Sequence, residues 1–174
     1  MRLHGRSPAR LTAEYGVLIA LALVLSYAES LIPAFFAVPG VKLGLANTVA
    51  VFALYRMRGC DAWVISLVRV MLASVLFGSM FTFAYSAAGA ALSLAVMQLV
   101  KKTGRFNPVG VSVCGGVAHN AGQILVAVFL LETGSLIYYL PVLCISGVIA
   151  GIAIGAVSGM LIRRIGWGKD GRPQ

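Results

Sequence analysis

The run YYLPVLCISGVIAGIAIGAVSGMLI, residues 138–162, contains no charged side chain. A helix needs about 20 apolar residues to cross a ~30 Å hydrocarbon core, so this run is long enough to span a bilayer. Within it, Gly147, Gly151, Gly155 and Gly159 recur at four-residue spacing. This spacing aligns positions without side chains on one helix face, where another helix can pack closely. The run therefore predicts a tightly packed transmembrane helix.

The rest of the chain has the same apolar character. Of its 174 residues, 60% are hydrophobic and 11% are charged, which is too little polar surface for a water-soluble domain of this size. The fold class that we predict is all-α, an integral membrane bundle of six transmembrane helices over residues 13–164, between tails at 1–12 and 165–174. The apolar pattern predicts the helices near residues 13–32, 43–57, 62–80, 83–100, 108–131 and 138–162.

The basic residues predict how the bundle is oriented. Most of the 14 lysines and arginines lie in the N-terminal tail, after the second and fourth predicted helices, and at the C-terminus. Under the positive-inside rule these regions are cytoplasmic, which puts both termini in the cytoplasm of a cell-membrane protein. Topology therefore explains the formal net charge of +9 better than nucleic-acid binding does.

Arg69 is the most informative single residue, because it lies near the middle of the third predicted helix. Arginine at that depth costs about 2.5–3.5 kcal/mol on insertion scales, so something must compensate its charge. From the helix rise, Glu29 lies roughly 13 Å away in depth. A direct ion pair between the two would require a tilted helix or a long reach.

The segment GGVAHNAGQ, residues 115–123, brings polar groups to about the same depth as Arg69. His119 and Gln123 share a helix face, Asn120 is adjacent, and the glycines leave space around them. One interpretation is an internal hydrogen-bond network that satisfies Arg69 and joins two helices. The other is a polar pocket that attracts an anionic substrate, whose phosphate or carboxylate supplies the missing counter-charge.

A third polar segment, PGVKLGLANTV at residues 39–49, contains Lys42 and Asn47 where the chain re-enters the membrane. A re-entrant turn there could cover a pocket. The alternative for Lys42 is that its ammonium group snorkels to the membrane interface. Both residues are included among the candidate substrate-binding residues.

The sequence lacks the motifs that catalysis would need. It has no GxxxxGK[ST] phosphate loop for ATP hydrolysis. Asp61 and Asp170 are its only aspartates, which leaves no aspartate pair to hold magnesium on a diphosphate. One membrane histidine and scattered cysteines make no convincing metal site. We therefore predict a protein that is not an enzyme and that has no catalytic residue, metal or cofactor.

Four segments together resemble the Gx transporter family, whose members are also named heptaprenyl diphosphate synthase component I. They are PGVKLGLANTV, VRVMLASVLFGS at 68–79, GGVAHNAGQ and the glycine-rich last helix. The family is similar to the S-components of energy-coupling-factor (ECF) transporters, six-helix membrane proteins that capture vitamins or related molecules. The resemblance implies a transmembrane coupling subunit and two cytoplasmic ATPases as partners. It also implies docking through a small-residue motif on the first helix, which Gly16 and Ala20 match approximately.

Two functions follow as expectations. The first is a membrane-embedded, S-component-like subunit for uptake of a small anionic or vitamin-like molecule, working with an ATP-driven module. The second is a non-catalytic accessory or assembly subunit linked to prenyl diphosphate or quinone metabolism. A transporter that works alone is a third alternative. For the first function the candidate substrate-binding residues are Arg69, His119, Asn120, Gln123, Lys42 and Asn47.

Overall fold

The computed structural model describes residues 7–31 and 44–165. These residues are helical almost throughout and contain no strand, in agreement with the predicted all-α class. The elements are α1 (Pro8–Ser30), α2 (Asn47–Arg56), α3 (Gly59–Phe77), α4 (Met80–Lys102), α5 (Pro108–Leu131), a 3-10 helix (Gly134–Tyr139) and α6 (Leu140–Arg164).

Five helical segments of the described chain are long and apolar enough to cross a membrane. They are α1, α3, α4, α5, and α6 together with the preceding 3-10 helix. Their side chains include many large apolar residues that remain exposed, as expected of a surface that contacts lipid acyl chains. The chain is therefore a multi-pass helical membrane protein.

The second predicted helix differs from the expectation. Helix α2 has 10 residues and begins at Asn47, so it rises only about 15 Å, or half the hydrocarbon core. The six predicted spans are thus not confirmed, since the described residues provide five. Val51, Ala53 and Leu54 of α2 are almost inaccessible, and α2 contacts α1, α3 and α6. A short helix is tolerated at membrane depth when protein encloses it.

Side chains from other helices satisfy the backbone of α2. Ser158 Oγ of α6 donates to the Thr48 carbonyl oxygen at 3.2 Å, and Lys101 Nζ of α4 donates to the Leu54 carbonyl oxygen at 2.6 Å. Arg56, at the end of α2, donates in turn to carbonyl oxygens at the end of α6. Because an unsatisfied carbonyl group is costly in lipid, the bond to Leu54, which lies in the last turn of α2, stabilises the end of this short helix.

The long helices pack largely in chain order. Helix α3 contacts α4, α4 contacts α5, and α5 contacts α6, while α1 packs on α3. The contact between α1 and α3 includes a hydrogen bond from the Tyr15 hydroxyl to Asp61 Oδ1 at 2.7 Å. Asp61 also accepts from the Arg58 backbone N–H at 2.9 Å. This aspartate therefore joins two helices at the end of the bundle where α3 begins.

The glycine face of α6 lies against α5. A Cβ atom at Gly151 would be 2.6 Å from Val113 Cα, and one at Gly155 would be 2.6 Å from Val109 Cα. Real Cβ atoms do not approach so closely, so side chains are excluded from these positions. The backbones of α5 and α6 consequently pack in direct contact, as small-residue faces allow in membranes. The outer two glycines of the face, Gly147 and Gly159, also lie toward α5.

Replacing Gly151 with alanine tests this packing. We expect the Gly151→Ala protein to unfold at a lower temperature, because overpacking costs about 1–3 kcal/mol when a backbone must move. Gly16→Ala is the matched control, since a Cβ there would meet no atom within 4 Å. Both changes carry the same gain in helix propensity, so the difference in unfolding midpoint between the two purified proteins isolates the contact with α5. Equal midpoints would contradict the packing.

Candidate functional site

A polar cavity of about 160 Å³ lies where the start of α2 meets the five long helices. Five of the six candidate substrate-binding residues line it: Asn47, Arg69, His119, Asn120 and Gln123. The sixth, Lys42, lies outside the described residues. The wall also contains hydroxyl groups that the sequence analysis did not single out, those of Ser26, Ser30, Ser74, Thr82 and Ser86. The structure thus brings together residues that are separated by up to 128 positions in the sequence, from Ser26 to Ile154.

Arg69 is held by the start of α2. Its Nη2 atom donates to Asn47 Oδ1 at 3.2 Å, which connects α3 to the first residue of α2. The sequence had instead predicted that Arg69 would form hydrogen bonds with polar residues of the segment GGVAHNAGQ. Asn47 provides this partner because the short helix α2 begins in the middle of the bundle, beside α3.

Glu29 belongs to the same cavity wall. Its carboxylate accepts a hydrogen bond from the Gly44 backbone N–H, just before α2 begins. From the sequence, a direct ion pair between Glu29 and Arg69 was expected only with a tilted helix or a long reach. Counting the helix rise measures depth between Cα atoms, whereas the cavity spans that distance and the arginine side chain extends into it.

Asn120 uses its amide to join two helices. Asn120 Nδ2 donates to the Leu143 carbonyl oxygen at 2.5 Å and to Ser146 Oγ at 3.3 Å. Ser146 Oγ in turn donates to the Leu143 carbonyl oxygen at 2.9 Å. This arrangement is the one expected when a polar residue links α5 to α6. Asn120 therefore lines the cavity while its amide nitrogen bonds to α6.

Gln123 and His119 pack against α4 at Gly89, a residue that the sequence analysis missed. A Cβ atom at Gly89 would lie 2.7 Å from Gln123 Cγ and 3.0 Å from His119 Cε1. Gln123 is 3% exposed, so the absence of a side chain at Gly89 creates the space it occupies. The only sequence signal was a glycine inside the small-residue run SAAGAA, residues 86–91.

An apolar lateral groove of about 930 Å³ lies between α1 and α6, with α2 as its floor. Arg10, Glu14 and Arg56 are its charged lining residues, and the Arg10 Nε and Glu14 Oε1 atoms are 3.2 Å apart. The groove shares Ala150 and Ile154 with the wall of the polar cavity. The molecule thus has two adjoining concave regions, one small and polar and one large and apolar.

The two predicted docking residues, Gly16 and Ala20, are small residues of α1. Gly16 and Ala20 are both exposed, and nothing lies within 4 Å of a Cβ built at Gly16. This face of α1 is therefore not used to pack the described bundle. Docking of a partner at Gly16 and Ala20 stays a prediction.

The fold and the site define a class, a multi-pass helical membrane protein with a polar cavity between its helices. The family model described as Heptaprenyl diphosphate synthase component I matches residues 18–161, from α1 to α6. The chain belongs to this family, as the four sequence segments indicated. Comparisons with curated proteins and with solved structures give no match.

The hydrogen bonds of Asn120 generate a stability prediction. We expect Asn120→Ala to lower the unfolding temperature of the purified protein, because interhelical hydrogen bonds in membranes contribute about 0.6–2 kcal/mol. Leu125→Ala is the control on the same helix, since Leu125 is 64% exposed. If both variants unfold at the same temperature as the wild type, the link between α5 and α6 does not contribute to stability.

Proposed function

We propose that the chain is a membrane-embedded binding subunit that holds a small polar molecule in the central cavity. The observation that carries the proposal is Arg69, a charged side chain within a membrane span that lines a cavity together with amides, hydroxyls and a carboxylate. Ionisable residues inside membrane spans are costly, and they commonly mark pathways or binding sites. Besides this molecule, the protein contacts the lipid bilayer in which its helices lie.

The size of the cavity favours a small ligand. Its volume of about 160 Å³ is close to that of an engineered ~150 Å³ protein cavity that binds benzene. A ligand on the order of six to ten non-hydrogen atoms fits this space. The polar lining favours a molecule that forms hydrogen bonds, since buried amides and hydroxyls need partners.

We propose further that the bound molecule is taken up with the help of an ATP-driven module. The sequence contains no phosphate loop, so ATP hydrolysis by that mechanism would have to come from other subunits. The exposed small residues Gly16 and Ala20 on α1 support docking of a coupling subunit there, because small residues allow close helix contact. In this proposal the chain is not an enzyme, and it works in the cell membrane with both termini in the cytoplasm.

A second candidate function is a non-catalytic accessory role in prenyl diphosphate metabolism. Two observations favour it: the description of the matching family and the apolar groove of about 930 Å³ with Arg10 and Arg56 among its lining residues. A groove of this kind suits an apolar chain whose anionic head contacts arginine. Native mass spectrometry discriminates between the two functions. The first function predicts a bound polar molecule, and the second predicts a bound prenyl chain.

The test of the cavity is substitution of Arg69. We expect native mass spectra of gently purified wild-type protein to contain a reproducible adduct of low mass. Arg69→Ala should lose that adduct, because a charge-assisted hydrogen bond contributes about 1.5–3 kcal/mol and its loss lowers affinity more than tenfold. Arg105→Ala, an exposed position outside the cavity, should keep it. Retention of the adduct by Arg69→Ala protein would exclude the cavity as its site.

The proposed orientation has a separate test in cysteine labelling. Cys60 is exposed at the start of α3, so in a protein with Cys114→Ser and Cys144→Ser it is the only thiol. We expect a membrane-impermeant maleimide to label Cys60 in inside-out vesicles and not in intact cells. Ser135→Cys, added to a version with Cys60→Ser, should show the reverse because residue 135 is exposed after α5. Labelling of Cys60 in intact cells would reverse the proposed topology.

A further inference from the structure

The charged side chains in the wall of the polar cavity, here called the central cavity, restrict the charge of the molecule that can bind there. In the described part of the wall, Arg69 is the one permanently cationic side chain and Glu29 the one carboxylate. His119 is the third ionisable side chain, and it adds no charge while its ring is neutral. With Glu29 ionised, the described wall carries one positive and one negative charge. The described part of the wall thus carries no net charge before any ligand binds.

The two charges lie at different depths of the cavity. Glu29 is the penultimate residue of α1, and the Tyr27 and Phe77 rings, with centroids 5.1 Å apart, bring the ends of α1 and α3 together. Arg69 precedes Phe77 by eight residues, which is about 12 Å along the helix. Arg69 is therefore the deep charge, and Glu29 is the charge near the end of the helices.

Both groups keep hydrogen-bonding capacity for a ligand. A guanidinium has five N–H donors, and a carboxylate has about four acceptor sites. The structure assigns Arg69 one bond to Asn47 and Glu29 one bond from the Gly44 N–H. Ser26 Oγ, one turn before Glu29 in the same wall, is a buried polar atom without a hydrogen-bond partner among the described residues. Such an atom gains from a polar ligand.

We infer that the central cavity binds a small zwitterion of zero net charge, with its anionic end at Arg69 and its cationic end toward Glu29. This inference rests on the proposed binding function and narrows it. An anion would satisfy Arg69 but leave the Glu29 charge uncompensated, and a cation would do the reverse. A zwitterion compensates both charges, because its anionic and cationic ends are separate groups.

Three probes that share a four-carbon skeleton test the inference: 4-aminobutyrate, butyrate and butylamine. Each is titrated against the purified full chain in nanodiscs of uncharged lipid, and the shift of the unfolding midpoint gives an apparent affinity. We expect the wild-type protein to bind 4-aminobutyrate at least about tenfold more tightly than either of the other probes. This ranking requires no substitution, so it does not depend on the folding of a variant.

Two substitutions should change the ranking in opposite directions. In the Glu29→Gln protein, Arg69 is the remaining charged side chain of the described wall, so butyrate should become the most tightly bound probe. In the Arg69→Gln protein, Glu29 is the remaining charged side chain of the described wall, so butylamine should become the most tightly bound probe. Glu132→Gln and Arg105→Gln change charges at exposed positions outside the cavity, and both should keep the wild-type preference for 4-aminobutyrate.

Two results would overturn the inference. If butyrate or butylamine binds the wild type most tightly, the ligand carries a net charge, and the proposed binding function stands without the zwitterion. If none of the probes stabilises the wild type or any variant, the zwitterion site is excluded. The proposed function is then decided separately by the adduct in native spectra of wild-type and Arg69→Ala protein.

Discussion

Hydrogen bonding of the backbone inside a bilayer is the constraint on which the rest of this structure depends. A long helix satisfies its own N–H and C=O groups, but the ends of a short helix at membrane depth need other partners. Helix α2 is such a helix, and side chains from its neighbours supply those partners. Lys101 bonds to the Leu54 carbonyl group in the last turn of α2, and Glu29 accepts from the turn before α2. The buried Ser158 hydroxyl in turn finds its acceptor in the Thr48 carbonyl group. The short helix thereby connects α1, α4 and α6.

The polar cavity is a consequence of the same arrangement. Because α2 begins in the middle of the bundle, its first residue, Asn47, can bond to Arg69. The start of a helix also carries partial positive charge, which favours the nearby carboxylate of Glu29. The start of α2 therefore provides polar groups that the proposed binding function uses.

The segment GGVAHNAGQ of α5 combines packing and cavity lining within a few residues. Asn120 bonds to α6, and Gln123 lies against Gly89 of α4. Gly116 lies opposite Gly147, where the two helix backbones meet. Each of these polar or small residues holds α5 between its two neighbours, and three of the side chains in the segment also line the cavity. The groove between α1 and α6 adjoins the cavity at Ala150 and Ile154.

The sequence by itself determined the class of the protein and the depth of its polar groups. Apolar length predicts membrane helices because the bilayer thickness is constant, and the spacing of 1.5 Å per residue predicts that Arg69 and His119 lie at similar depth. Only the tertiary structure decided that α2 is half-length, that Asn47 is the partner of Arg69, and that Glu29 shares the cavity. Depth can be counted along a helix, but lateral contacts depend on how each helix is rotated and which helices are its neighbours. Those two quantities arise from packing among all the helices, and no single segment of the sequence contains them.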